Sequence, residues 1–81
     1  MYAIKRERTG MILTTNFDHE VNTMSTFKTK KEANAELISR SKAQADHYGS
    51  TATFTYSKDE FTVKVDDINY HVTERFYIEK V

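Results

Sequence analysis

The chain has 81 residues, and 12 basic side chains balance 12 acidic ones. Charged residues make up 30% and hydrophobic residues 38%, which fits a globular chain rather than a disordered one. The neutral balance removes the positive excess that marks a dedicated nucleic-acid binder, and with no cysteine there is neither a disulfide framework nor thiol chemistry.

One domain is expected over residues 1–81. A domain this small buries only about 60% of its unfolded surface, so dimerisation would add stability. Met1–Arg8 mixes charged and apolar residues and does not read as a signal peptide. No apolar run approaches the roughly 20 residues that span a bilayer. A cytoplasmic protein is expected.

Tyr2–Arg8 alternates, with Tyr2 and Ile4 on one side and Ala3, Lys5 and Glu7 on the other. Thr9-Gly10 reads as a hairpin turn in which the glycine takes positive φ, and Met11–Thr15 reads as the second strand, giving a hairpin over 2–15. A two-residue loop sets Tyr2 opposite Phe17, Ile4 opposite Thr15 and Arg6 opposite Leu13; a three-residue loop with a bulge is the alternative. The polar run 16–23 reads as a loop, and Met24–Lys28 as a short strand that feeds a helix.

That helix is expected over 30–48. Thr29, followed three residues later by Glu32, is a capping-box pattern, and Gly49 supplies the stop. At about 100° per residue, Ala33, Leu37, Ser41, Gln44 and Tyr48 share one face, with Asn34, Ile38 and Ala45 on its shoulder. Glu36, Ser39, Arg40, Lys42, Asp46 and His47 fall on the other side. Few residues of the inner face are large, so the helix can lie close against a sheet.

A three-stranded meander is expected over 51–80. Residues 51–56, 61–65 and 68–72 alternate apolar and polar. With Lys58-Asp59 at the first tip, Tyr56 faces Phe61, Phe54 faces Val63 and Ala52 faces Val65. With Asp66-Asp67 at the second, Val65 faces Ile68, Val63 faces Tyr70 and Phe61 faces Val72. Both registers gather the apolar residues on one face and leave Thr53, Thr55, Thr62, Lys64, Asn69, His71 and Thr73 on the other. Glu74 breaks the phase, which calls for a bulge near Glu74 and Arg75 or a place at the edge of the layer. The end of the last strand can pair with the N-terminal hairpin or with a second copy. The expected fold is α+β: a two-layer sandwich, an antiparallel sheet packed by one helix, in the order ββ(β)αβββ.

The chemistry-bearing residues give no catalytic, cofactor or metal site. His19, His47 and His71 are not at metal-ligand spacing, and Asp59-Glu60 and Asp66-Asp67 sit at turns, where aspartate is favoured by geometry. Lys5, Arg6 and Arg8, with Lys28, Lys30 and Lys31 at the helix start, would form a basic patch able to meet phosphate if the fold joined them. Phe76, Tyr77, Ile78 and Val81 on the long last strand form a candidate partner surface.

Tyr2-x-Ile4, then Thr9-Gly10 and an apolar strand, then Thr26-Phe27-Lys28-Thr29-Lys30-Lys31-Glu32-Ala33 opening a helix, resembles many small phage- and prophage-encoded proteins of Gram-positive bacteria. The likeness covers roughly the first forty residues. It implies an accessory protein, since some of that group antagonise host enzymes or defence systems, and it assigns no residue a role. The chain is therefore expected to be a non-catalytic protein-interaction domain that binds a protein partner or itself. A nucleic-acid-binding module using the basic patch is the alternative.

Overall fold

A computed structural model of the chain describes residues 1–12 and 15–81, with the backbone alone at 12, 15–18 and 70. The elements run β1 (Tyr2–Ile12), β2 (Thr15–Phe27), α1 (Lys30–Tyr48), a single 3-10 turn (Gly49–Thr51), β3 (Ala52–Ser57), β4 (Glu60–Asp66) and β5 (Tyr70–Lys80). The fold is α+β, with one five-stranded sheet in the order β2-β1-β5-β4-β3, every neighbouring pair antiparallel.

The helix starts and stops where the caps predict. Thr29 has an extended backbone, and its hydroxyl oxygen accepts from the Glu32 amide at 3.2 Å. The Glu32 carboxylate accepts a hydrogen bond from the Thr29 hydroxyl at 2.9 Å, rather than reaching the backbone amide. Gly49, at φ 61°, donates its amide to the Ala45 carbonyl. Ala33, Leu37 and Ser41 are the buried residues of α1, as the helical spacing requires. On the shoulder, however, Ile38 stays 58% exposed. The helix lies over β1 and β5, and Arg40 reaches β2, where it donates to the Ser25 hydroxyl at 3.1 Å.

The β3–β4 hairpin has the predicted register, Tyr56 opposite Phe61, Phe54 opposite Val63 and Ala52 opposite Val65. The next hairpin differs. Val65 is opposite Val72, Val63 opposite Glu74 and Phe61 opposite Phe76, four residues beyond the predicted pairing with Ile68, Tyr70 and Val72. A two-residue turn of the favoured type needs positive φ at both central positions, which Asp66-Asp67 supplies poorly. A shift of four keeps every side chain on its face, and it brings the Phe61 and Phe76 rings to 4.8 Å in a stack. No bulge lies in β5: its pairing with β1 and with β4 runs unbroken through Glu74 and Arg75.

The N-terminal half departs further from expectation. Thr9-Gly10 is not a turn. β1 runs straight through it to Ile12, and the predicted loop 16–23 belongs to β2. Tyr2 is opposite Phe27, Ile4 opposite Ser25 and Arg6 opposite Asn22; Leu13, the expected partner of Arg6, lies outside the described residues. Gly10 does have positive φ, 124°, but inside the strand. The parenthetical third strand is thus the end of β2, which carries two irregularities against β1. Polar residues form this strand because it is an edge, with water on one side and β1 on the other.

Side chains of one sheet face and of α1 form the core. Ile4, Leu37, Phe61, Val63, Val65 and Phe76 are its buried members, with Met24, Phe27, Tyr48, Ala52, Phe54 and Ile78 packed around them. The opposite face is polar and cross-linked by charge: Lys5 to Glu79 at 3.9 Å, His19 to Glu7 at 3.4 Å, His71 to Asp66 at 2.8 Å, and Arg75 to Glu60. The Arg75 guanidinium also lies 4.2 Å from the centre of the Tyr77 ring.

Candidate functional site

The sequence-predicted partner surface does not exist as one surface. β5 is a central strand, paired with β1 on one side and β4 on the other. Phe76 is 1% exposed and belongs to the core, Ile78 packs beside it, and Tyr77 is half-buried on the opposite face. Val81 alone of the four is exposed. The reason is the strand order: the end of β5 pairs with β1 along its full length, which satisfies its backbone within the chain.

The predicted basic patch is divided as well. Lys5 points to the polar face, toward Glu79. Arg6 and Arg8 point to the helix side, because alternate residues of a strand face opposite ways. Arg8 is paired with Glu20 at 2.7 Å, and Lys30 with Asp59 at 2.7 Å. Lys28 and Lys31 are exposed at the helix start. Arg8 lies opposite Glu74, which meets Tyr48 at the far end of α1. Nearly the whole helix, about 25 Å at 1.5 Å per residue, separates Arg8 from Lys31.

Arg6, Arg8 and Glu74 explain the broken phase near the end of the chain. Glu74 is 4% exposed on the core face, opposite Arg8, and its carboxylate accepts from the Tyr48 hydroxyl at 3.3 Å. A buried carboxylate is tolerated only with such partners. Burial first, and the Glu74 charge second, push the Tyr48 phenol above its ordinary value. A raised phenol contributes stability that is intact below the ordinary pKa of about 10 and is lost as pH rises through the higher folded value. Replacing Glu74 with glutamine is expected to lower the pH at which Tyr48 ionises, read as the ultraviolet phenolate signal that disappears in Tyr48→Phe. An unchanged titration would refute the contact.

The feature not legible in the sequence lies at the other edge. α1 packs over β1, β5, β2 and β4 and leaves β3 largely uncovered. Between the helix and the β3–β4 hairpin runs a cleft of about 230 Å³. Leu37, Ser41 and Phe61 are its buried lining; Ile38 and Asn34 line it from the helix and Tyr56 and Ser57 from the strand. Ile38 is 58% and Tyr56 62% exposed, two large apolar side chains left in water on one ledge. Phe54, Tyr56 and Phe61 are mutual ring neighbours with centroids 6.3–6.5 Å apart, so the ledge continues the core aromatic stack outward.

The charged rim is internally neutralised. The hydrogen bond from Lys30 holds the Asp59 carboxyl below its usual range and raises the lysine in return. On the other face of the sheet, the hydrogen bond from Arg75 likewise holds the Glu60 carboxyl below its usual range. The Ser41 hydroxyl donates to the Ile38 carbonyl at 2.8 Å. An apolar wall with satisfied polar groups is suited to burying another apolar surface. Among the described residues, no three His, Asp or Glu gather as a metal-binding group, and no helix is long and apolar enough to cross a membrane.

No protein-family model matches this chain, and no curated protein or solved structure matches it either.

Among the described residues β3 pairs with β4 alone, and its outer backbone edge meets no other strand of the sheet. The six residues Ala52–Ser57 contain no charge and no proline, and their register with β4 is unbroken. The far edge, β2, carries His19 and Glu20 and two irregularities. Edge strands are ordinarily protected from other chains by charges, prolines or bulges. β2 has such protection and β3 does not.

Proposed function

We propose that this chain is a non-catalytic protein-interaction domain that binds an extended segment along β3 and seats side chains of that segment in the adjoining cleft. The observation that carries this reading is the unprotected β3 edge beside the exposed Ile38 and Tyr56. Strand addition of this kind takes affinity from backbone hydrogen bonds and specificity from pockets for alternate side chains. A two-layer arrangement, with the helix offset from β3, leaves room for both. Such a role suits the small accessory proteins of phages and prophages that the N-terminal pattern resembles, and a cysteine-free chain suits the cytoplasm.

Titration with extended peptides that alternate apolar and polar residues tests the reading. Amide resonances of 52–57 and of the helix residues 34–41 are expected to shift together. Ile38→Asp and Tyr56→Asp are expected to weaken binding about tenfold or more, since each introduces a charge into a contact that must be desolvated. Ile38 is exposed on the helix, so Ile38→Asp should change stability by about 0.5 kcal/mol or less, whereas Tyr56→Asp also removes the cross-strand ring contact with Phe61 and should cost about 1 kcal/mol. Shifts confined to other surfaces would refute the assignment.

A further inference from the structure

We propose that a second copy of this chain is a strand that β3 accepts, giving a two-fold dimer with one continuous ten-stranded sheet. The proposal rests on the reading of β3 as an interaction edge and names its occupant. A two-fold axis normal to the sheet makes such a pair antiparallel and self-complementary. It also keeps both helices on the same side, provided each residue meets one of its own parity.

Two central registers satisfy that condition. With Phe54 on the axis, Ala52 is opposite the partner's Tyr56, Thr53 opposite the partner's Thr55, and Phe54 opposite the partner's Phe54. The large exposed Tyr56 then lies beside the small, half-buried Ala52, twice by symmetry. The two aromatic series meet at the axis, and threonine pairs line the polar face, an arrangement that stabilises adjacent strands. With Thr55 on the axis, Tyr56 lies beside the partner's Phe54 instead, and the space beside the small Ala52 is left unfilled. Size therefore selects the Phe54-centred register. A seam of 6 residues from each copy is short, which places the dimer among concentration-dependent associations.

The native chain has no cysteine, so single cysteines report the register cleanly. Thr53 and Thr55 are exposed. An equimolar mixture of Thr53→Cys and Thr55→Cys proteins is expected to form a disulfide-linked dimer about tenfold faster than either variant alone, because only unlike positions are opposed. Sedimentation equilibrium gives the second readout. Thr53→Lys/Thr55→Lys and Thr53→Glu/Thr55→Glu should each weaken self-association about tenfold, and their mixture should restore it. Equal cross-linking rates in all three preparations, or a monomer at every concentration, would overturn the proposal. A monomer that still binds extended peptides along 52–57 overturns the second copy alone. A monomer that binds none overturns the edge reading with it.

Discussion

Replacing Gly10 with alanine is expected to destabilise the protein by about 3 kcal/mol or more, the sum of backbone strain and steric overlap. Gly10 has φ 124°, a conformation that side-chain-bearing residues rarely adopt. It also lies opposite Val72 in β5, where an added Cβ would overlap the His71 carbonyl oxygen and come within 2.8 Å of the Val72 Cα. Both obstacles are backbone, so they cannot swing aside as a side chain would. At roughly 4–8 °C per kcal/mol for a domain of this size, Tm should fall by about 12 °C or more. Gly49→Ala is the control. Its φ is also positive, 61°, with ψ −136°, but an added Cβ meets nothing within 4 Å, so only the strain of a glycine-favoured backbone, about 1–3 kcal/mol, applies. Thermal unfolding by circular dichroism compares the two. Similar losses would mean that β1 and β5 do not approach each other this closely at Gly10.

Truncating Phe76 to alanine is expected to cost about 3–5 kcal/mol, the usual range for an aromatic removed from a packed core. Phe76 is 1% exposed, and its ring is stacked on Phe61 at 4.8 Å with 12° between the planes. A small domain has only about 5–15 kcal/mol of stability in all, so the variant should be partly unfolded at moderate temperature. Val81→Ala is the matched comparison. The sequence groups Phe76 and Val81 on one partner surface, yet Val81 is 60% exposed, and its truncation should change stability by about 0.5 kcal/mol or less. Urea titration separates the two predictions. A mild effect at Phe76 would return that residue to the surface and undo the strand order given to β5.

Local chemistry was legible at the helix and at the β3–β4 hairpin, but not at the β4–β5 hairpin, whose register lies four residues from the one its Asp66-Asp67 tip suggested. Thr29 and Glu32 cap the helix through contacts three residues apart. Ala33, Leu37 and Ser41 are buried because 3.6-residue periodicity aligns them. The β3–β4 register follows from a short tip and strict alternation. Where a choice between distant partners was involved, the sequence left more than one answer. Thr9-Gly10 has the composition of a turn, but its glycine is required by the close passage of β5. Residues 16–23 look like a loop because an edge strand tolerates polar residues on both faces.

The chain by itself therefore determined that this is an α+β protein with one capped helix, antiparallel strands and one apolar sheet face, since periodicity and caps are local properties. The tertiary structure decided the strand order. Pairing β1 with the whole of β5 buries Phe76, moves Arg8 and Lys31 to opposite ends of the helix, and makes β3 an edge. Which strand is left without a neighbour depends on non-local hydrogen bonding, and no alternation within Ala52–Ser57 encodes it. The exposure of Ile38 and Tyr56 depends on the helix covering β2, β1, β5 and β4 but not β3, a packing outcome set by the whole face of the sheet.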